Sequence, residues 1–443
     1  MTNNFSENHK IEIGGVYQAK ITGYTHDGRG VARVGGRVIF VPGALLGEQA
    51  ELIITAEQKK IFSARLLKVL RPVPERTEPI CPAYHSCGGC HLQHMTYDEE
   101  LRFKQGQVES ALKRLGSLHN LPMQPIIAAE QQFHYRNKGV FHVARMQEQV
   151  RLVFWDENSH QPAADTCKLL FPPAINNLTE WLTNQKLPPN IVDVMVRYAP
   201  GSGDLLLSFK LADENIPAVS PLLHRAADKF PQLKVMACQT PQGWHNLSAA
   251  GQITDSLGNT DYLISAPAFF QVNNAQTLKL LQTVAGFFGG NEQLLLDAYC
   301  GIGTLGLYLA KNLSHLRQLV GIEINPSAVH DATANAAINH INNAEFTCGA
   351  AEKVFGRIVQ RYQRPDAVII DPPRRGCHQA LLDGLLDLAP DKIIYVSCNP
   401  ATLARDLNSL CAEKYRPMYI QPVDMFPRTH HVETVCLLSK PIL

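Results

Sequence analysis

No long apolar run interrupts these 443 residues. Nothing approaches the roughly 20 consecutive apolar residues that a membrane helix needs. The start, MTNNFSENHK, lacks the apolar stretch of a signal peptide. Both absences predict a cytoplasmic protein with no membrane partner. Charge of one sign is missing too, since 41 Lys and Arg stand against 40 Asp and Glu, a net charge of +1. The chain therefore has no global basic signature for nucleic acid. Its first 150 residues carry 18 Lys and Arg against 14 Asp and Glu, a slight basic lean. Internal repeats and low-complexity segments are absent, which excludes solenoids and repeat arrays. What remains is an ordinary globular composition, 45% hydrophobic and 18% charged, long enough for two or three domains. Eleven cysteines in a cytoplasmic chain point away from structural disulfides. Metal ligation, catalysis and plain burial remain, and position must sort them.

Residues 12–70 alternate apolar with polar in VYQAKITGY, GRVIFVPGA, QAELIITAE and IFSARLLKVL, with HDGRG and VGGR as turns. That spacing predicts a small antiparallel barrel of the oligonucleotide-binding kind over residues 8–70. A β-domain with no ligand fits the pattern equally well. Pro72, Pro74, Pro79 and Pro82 mark a linker. Residues 97–117 have helical apolar spacing. Residues 71–275 form a central α+β region with strands at KGVFHVA, RLVFWD, IVDVMVRY, LLLSFKL and LKVMACQ. Residues 276–443 alternate helix with strand (LLLDAY, QLVGIEI, DAVIID, KIIYVSC), which predicts a Rossmann-like α/β domain around a parallel sheet.

Three strand ends in this last region carry chemistry. Leu294–Tyr299 runs directly into Cys300-Gly301-Ile302-Gly303-Thr304-Leu305-Gly306, where glycines let the backbone approach a ligand closely. Glu323 ends the next strand, where an acidic side chain can accept hydrogen bonds from ribose hydroxyls. The pair suits an adenosine cofactor, and the loop alone also satisfies the dinucleotide fingerprint. Asp371 and two prolines end DAVIIDPPRRG, an element that dehydrogenases do not need and nucleobase methyltransferases commonly have. Cys300 reads as a small buried residue.

Cys398 follows the strand IIYVSCNP and projects from the carboxyl end of a parallel strand into the same crevice. A buried structural cysteine is the usual fate of the residue type, but this position favours a nucleophile. Carbon 5 of uracil is too poor a nucleophile to take a methyl group directly, and addition of a thiolate at C6 makes it enolate-like. A base must then remove the C5 proton so that the thiolate can leave. Glu433 in THHVETVCLLS is the candidate, on a strand that sets His431 and Glu433 to one side. A solvated strand carboxylate and a His-His-x-Glu metal site are the weaker readings of the same residues.

Taken together, CGIGTLG, GIEINPSAV, IIDPPRRG, YVSCNP and FPRTHHVETV resemble the RNA (uracil-5-)-methyltransferases over nearly the whole chain. The resemblance implies S-adenosyl-L-methionine as methyl donor, Cys398 as nucleophile and Glu433 as base. It also implies that Gln271 in FFQVN, Tyr299, Glu323 and Asp371 line the donor pocket, with Gln271 and Asp371 shared with the target uracil. Tyr299 stands where relatives carry Phe. Residues 8–70 resemble a TRAM domain, an RNA-binding barrel. Cys81, Cys87 and Cys90, spaced C-x5-C-x2-C, and the distant Cys167 suit either Zn²⁺ or an iron–sulfur cluster by spacing. The resemblance selects a structural [4Fe-4S] cluster in the central domain. Barrel plus cluster implies the 23S ribosomal RNA branch, acting as a monomer on a loop or single-stranded uridine, with tRNA methylation, an exocyclic amino-methyltransferase and a non-catalytic RNA-binding protein as the alternatives. Helix 97–117 is expected to pack on the C-terminal domain. FHYRNKGVF offers Tyr135, Arg136 and Lys138 as RNA contacts, an aromatic to stack and cations for phosphates.

Overall fold

The computed structural model describes residues 11–146, 149–155, 161–165, 167–362 and 364–441, so residues 8–10 of the expected barrel lie outside them. The chain divides into two compact units, residues 1–107 with 428–431, and residues 108–427 with 432–443.

The first unit is built on a closed barrel of β1 (Val16–Tyr24), β2 (Gly30–Val34), β3 (Arg37–Val41), β4 (Gln49–Gln58) and β5 (Ile61–Arg71), in the order β1-β2-β3-β5-β4. Alternation drives it. Ile21, Ala32, Ile39, Leu52, Ile54 and Phe62 point into one core, while the residues between them stay more exposed. The turn from β2 to β3 is Gly35-Gly36, with φ of 50° and 73°, the positive values a tight two-residue hairpin requires. The expected small barrel is thus present, antiparallel except for the parallel pairing of β3 with β5 that closes it. Helix α1 (Tyr97–Arg114) follows, with Asp98, Glu99 and Glu100 in its first turn and Lys113 and Arg114 in its last, matching the helix dipole. It ends before the expected residue 117, where Ser117 turns left-handed at φ 53°. Within the first unit Phe103 of α1 packs against Leu45, Leu92 and Met95.

The larger unit begins at Val108, in the second half of α1. Its first sheet has seven strands: β6 (Lys138–Met146), β7 (Gln149–Trp155), β8 (Pro162–Asp165), β9 (Ile191–Tyr198), β10 (Leu205–Leu211), β11 (Leu233–Thr240) and β12 (Gly243–Asn246). They run in the order β12-β11-β10-β9-β6-β7-β8. Helices α2 (Pro173–Thr183) and α3 (Ser220–Lys229) accompany them. A hairpin of β13 (Gln252–Leu257) and β14 (Thr260–Ser265) comes next, then α4 (Asn274–Ala285).

The second sheet holds the predicted parallel strands, extended at one side by two strands in antiparallel pairings. It comprises β15 (Leu294–Ala298), β16 (Gln318–Glu323), β17 (Ala344–Cys348), β18 (Ala367–Ile370), β19 (Lys392–Ser397), β20 (Arg416–Val423) and β21 (Glu433–Ser439), ordered β17-β16-β15-β18-β19-β21-β20. Helices α5 (Thr304–Asn312), α6 (Pro326–Ile338), α7 (Ala351–Tyr362), α8 (Gln379–Leu388) and α9 (Pro400–Glu413) connect the strands. Successive strand residues serve opposite faces. Leu295, Leu319, Ile369 and Ile394 join one core, and Leu296, Val320, Val368 and Ile393 join another. Val108 and Leu112 of α1 pack in that second core with Leu403 and Leu407 of α9. Each such buried side chain contributes roughly 1.5–3 kcal/mol. Strand order reverses between β15 and its neighbours β16 and β18, which opens a crevice at their carboxyl ends. The antiparallel insertion of β21 beside β19 brings its first residue, Glu433, next to the end of β19. His431 precedes this strand, so the expected period-two relation to Glu433 does not apply. Among the described residues, no helix is long and apolar enough to cross a membrane.

Candidate active site

The crevice is shaped first by the turn after β15. Tyr299 has φ +69°, and Gly301 and Gly303 follow at 56° and 85°. A bulky side chain in the left-handed region costs roughly 1–3 kcal/mol, and such strain clusters at functional sites. Gly306 opens the way for α5 to close on β15. A Cβ there would sit 2.8 Å from Leu319 and 2.9 Å from the Asp297 carboxylate.

Asp297 is 1% exposed, with Oδ2 accepting from Gly306 N at 2.9 Å and Oδ1 buried without a hydrogen-bond partner. Burial pushes its carboxyl up to about 8, and Asp371 and Glu323 add to that. Glu323 ends β16 and is fixed by the backbone, Oε2 accepting from Gly301 N at 3.1 Å and Oε1 from Asn325 N at 2.7 Å. Each carboxylate oxygen retains a further lone pair for a ligand.

A cavity of about 530 Å³, counting its open mouth, lies here, lined by Gln271, Tyr299, Asp371, Asp297, Gly301 and Phe269 among others. Phe269 is an exposed aromatic on its wall, at 65%. Three of the four expected donor-pocket residues thus line one cavity, and the fourth, Glu323, is bonded to its Gly301 wall.

Cys398, Asp371 and Glu433 come from adjoining strand ends. Asp371 follows β18, and its carboxyl is screened from solvent, which pushes it up to about 7, although the residue keeps partial exposure. The loop after Asp371 is tied to the loop after β19. Asn399 Nδ2 and Thr402 Oγ1 both donate to Arg374 O, at 3.0 and 3.3 Å. Asn399 also caps α9 by accepting from Ala401 N at 3.0 Å. These bonds hold Cys398 in a short turn between β19 and α9. Burial, then the charges of Glu433 and Asp371, push its thiol up to about 11, and Arg374 pulls the other way. Glu433 is 4% exposed, and burial with the charge of Asp371 pushes it up to about 8, again opposed by Arg374. A carboxyl with this basicity is suited to accept a proton near neutral pH.

Asp297, Arg374 and Phe269 were missed by the sequence reading. An acidic residue inside the apolar run LLLDAY was the available signal for Asp297. Tyr135 corrects an expectation. It is 8% exposed and its hydroxyl donates to Pro427 O at 3.0 Å, so it is no stacking platform for RNA. Cys300 is buried, as read, and it also walls the cavity.

The four candidate cluster cysteines are all half-buried and outside disulfides. Cys87 Sγ accepts from Gly89 N at 3.4 Å, and Cys167 Sγ from Leu170 N at 3.3 Å. Cys81, Cys87 and Cys90 belong to the first unit and Cys167 to the second. Among the described residues, no group of three or more His, Cys, Asp or Glu is arranged to hold a metal ion. The donor chemistry fits a cluster, and the geometry does not display one.

The class that this fold and pocket define is that of the S-adenosylmethionine-dependent methyltransferases. Residues 252–441 match the tRNA (Uracil-5-)-methyltransferase family, and residues 10–67 match the TRAM domain. An RNA methyltransferase of Bacillus cereus is 35% identical over 94% of this chain and 95% of its own. One of Halalkalibacterium halodurans is 35% identical over 96% and 97%. Among solved structures, the Pyrococcus abyssi tRNA (uracil-54, C5)-methyltransferase in complex with S-adenosyl-L-homocysteine is 27% identical. It has a TM-score of 0.73 and covers 95% of this chain and 99% of its own. The chain belongs to the RNA (uracil-5-)-methyltransferase family.

Proposed function

We propose that this protein methylates C5 of a uridine in RNA through a covalent adduct on Cys398, with Glu433 as the base. The supporting observation is the convergence of Cys398, Glu433 and Asp371 at adjoining strand ends, where the charges of Glu433 and Asp371 raise the Cys398 thiol and that of Asp371 raises Glu433. Asp371 also lines the cavity.

S-adenosylmethionine, when bound, supplies an electrophilic methyl group. Gln271, Tyr299, Glu323 and Asp371 would hold it, and the buried unpartnered Oδ1 of Asp297 offers a further acceptor. The target base is flipped into the pocket. The Cys398 sulfur, after losing its proton to solvent, bonds to C6 of the uracil ring, and the ring electrons move toward C5 and O4. C5 then takes the methyl group, and the electron pair of the broken bond to the donor would stay on its sulfur, leaving a neutral thioether. Glu433 takes the C5 proton, the electron pair restores the C5–C6 double bond, and the C6–S bond breaks. A neutral Glu433 suits the first step, since it puts no negative charge beside the forming thiolate. A basic carboxylate suits the last.

For the RNA, the barrel together with Cys81, Cys87, Cys90 and Cys167, as ligands of a structural [4Fe-4S] cluster, supports 23S ribosomal RNA. Transfer RNA is the second reading, favoured by the named substrate of the Pyrococcus abyssi relative. Incubation with S-adenosylmethionine and separate unmodified 23S RNA and tRNA, followed by nucleoside mass spectrometry, tests both. 5-Methyluridine in 23S RNA alone is expected. Its appearance only in tRNA overturns the ribosomal assignment, and its absence from both overturns the activity.

A further inference from the structure

The segment after Tyr135 separates into a clamp and a cluster of cations. Asn137 is the clamp. Its Nδ2 donates to Gln271 O at 3.0 Å and to Asn274 Oδ1 at 2.7 Å, and its N–H donates to Val272 O at 2.8 Å. The pocket wall at Phe269–Gln271 is thereby fastened to the start of β6.

Lys138 opens β6 and is the direct register partner of Arg197 on β9. Residues so paired share a face of the sheet, and like charges there repel. Burial, then the positive charges of Arg197 and Arg136, push the Lys138 amine down to about 8. Arg197 is 2% exposed. Its Nη1 reaches Phe270 O at 3.5 Å, and its guanidinium lies 5.9 Å from the Phe270 ring centroid. Arg197 Nη2 and Arg136 Nε are buried without hydrogen-bond partners.

Asp255 is the carboxylate that acts on Arg197. Its oxygens are already taken by Gly201 N and Ser256 N, both at 2.9 Å, and by Asn274 Nδ2 at 2.7 Å. Three cations against one occupied carboxylate is a costly arrangement for a folded chain unless a further anion completes it. Arg136 and Lys138 keep partial exposure, so an anion can reach them.

We infer that Arg136, Lys138 and Arg197 form a binding site for one phosphodiester of the RNA, the one flanking the uridine in the pocket. The clamp sets this site beside the Phe269–Gln271 wall. A flipped base there leaves its own backbone within reach of the two partly exposed cations, and Arg197 supplies fixed field from behind. Arg197 also holds the wall through Phe270. That the anion is an RNA phosphate rests on the function proposed above.

The test is RNA binding by the full-length protein, measured by fluorescence anisotropy on a uridine-containing single-stranded oligonucleotide. Salt is varied between about 50 and 200 mM. Loss of one phosphate contact on a single strand lowers the slope of log Kd against log salt by about 0.7. Lys138→Met is expected to show that loss, Lys138→Arg to retain the wild-type slope, and Arg136→Gln to behave like Lys138→Met. Lys138→Met is also expected to raise the Tm of the free protein, because it removes a buried like charge, and to leave S-adenosylhomocysteine affinity unchanged. An unchanged slope in both Lys138→Met and Arg136→Gln overturns the phosphate site, as does a lower Tm with an unchanged slope. A wild-type protein whose RNA affinity ignores salt overturns it too. A wild-type protein that binds RNA with the expected slope yet makes no 5-methyluridine overturns the methylation reading and leaves the phosphate site standing.

Discussion

Replacing Glu433 by Gln separates the ionisation of Cys398 from its packing. The Cys398 thiol is pushed from an ordinary 9.0 to about 11, so its thiolate is about 100-fold scarcer at neutral pH than that of an unperturbed cysteine. Burial is the largest cause and survives the substitution. The charge of Glu433 is the second cause, and it exists only when that carboxyl is ionised, which happens near pH 8. At pH 6 Glu433 is neutral, so Glu433→Gln should leave the reactivity of Cys398 unchanged. Above pH 8 the wild-type carboxylate opposes the thiolate and Gln does not. Alkylation of Cys398 should therefore be several-fold faster in the variant at pH 9, and by less than the ~100-fold total effect. The assay is iodoacetamide labelling across pH 6–10, read by peptide mass spectrometry so that the other cysteines are resolved. A variant-to-wild-type ratio that is the same at pH 6 and pH 9, or slower labelling of the variant at pH 9, refutes the electrostatic coupling of the pair.

Other consequences follow from the same geometry. Asp297, Asp371 and Glu433 have folded values of about 8, 7 and 8, all above their ordinary ones. Raised carboxyls stabilise the fold below their unfolded values and lose that contribution as pH climbs through the folded ones, so the Tm of the free protein should fall between about pH 5 and 8. Asp297→Asn should flatten that profile and stabilise the protein at pH 9 by on the order of 2 kcal/mol, measured by calorimetry. A profile unchanged by the substitution would assign the pH dependence elsewhere. Gly306→Ala would drive a methyl group into Leu319 and Asp297. It should cost about 1–3 kcal/mol by denaturant titration and weaken S-adenosylhomocysteine binding by calorimetric titration. Protein purified without oxygen should be brown, with about four iron and four sulfide per chain, and both Cys87→Ser and Cys90→Ser should bleach it. A colourless protein holding zinc would contradict the cluster.

The elements legible in the sequence are those whose apolar period is strong. Each barrel strand buries alternate residues over part of its length, and β15, β16, β18 and β19 are near-continuous apolar runs leading into Tyr299, Glu323, Asp371 and Cys398. The strand β17, AEFTC, was invisible because it is half exposed and too short for a period. Asp297 stayed hidden because sequence pattern shows a buried strand but not which carboxylate loses its solvent. Tyr135 was misread because an aromatic beside cations looks like a nucleic-acid platform until its hydroxyl is seen bonded to Pro427. The pairing of Lys138 with Arg197 depends on strand register between segments nearly sixty residues apart, which no local pattern fixes. The thiol and carboxyl proposed as nucleophile and base, Cys398 and Glu433, were legible because the proposed chemistry needs both near one pocket.

RNA carrying 5-fluorouridine at the target position tests the central claim most directly, since the fluorine at C5 cannot leave as a proton and the adduct cannot resolve. With S-adenosylmethionine present, a covalent protein–RNA species should accumulate, map by peptide mass spectrometry to Cys398, and vanish in Cys398→Ala. RNA methylation at C5 by the wild-type protein with no such species, or with methylation retained in Cys398→Ala, would contradict the mechanism.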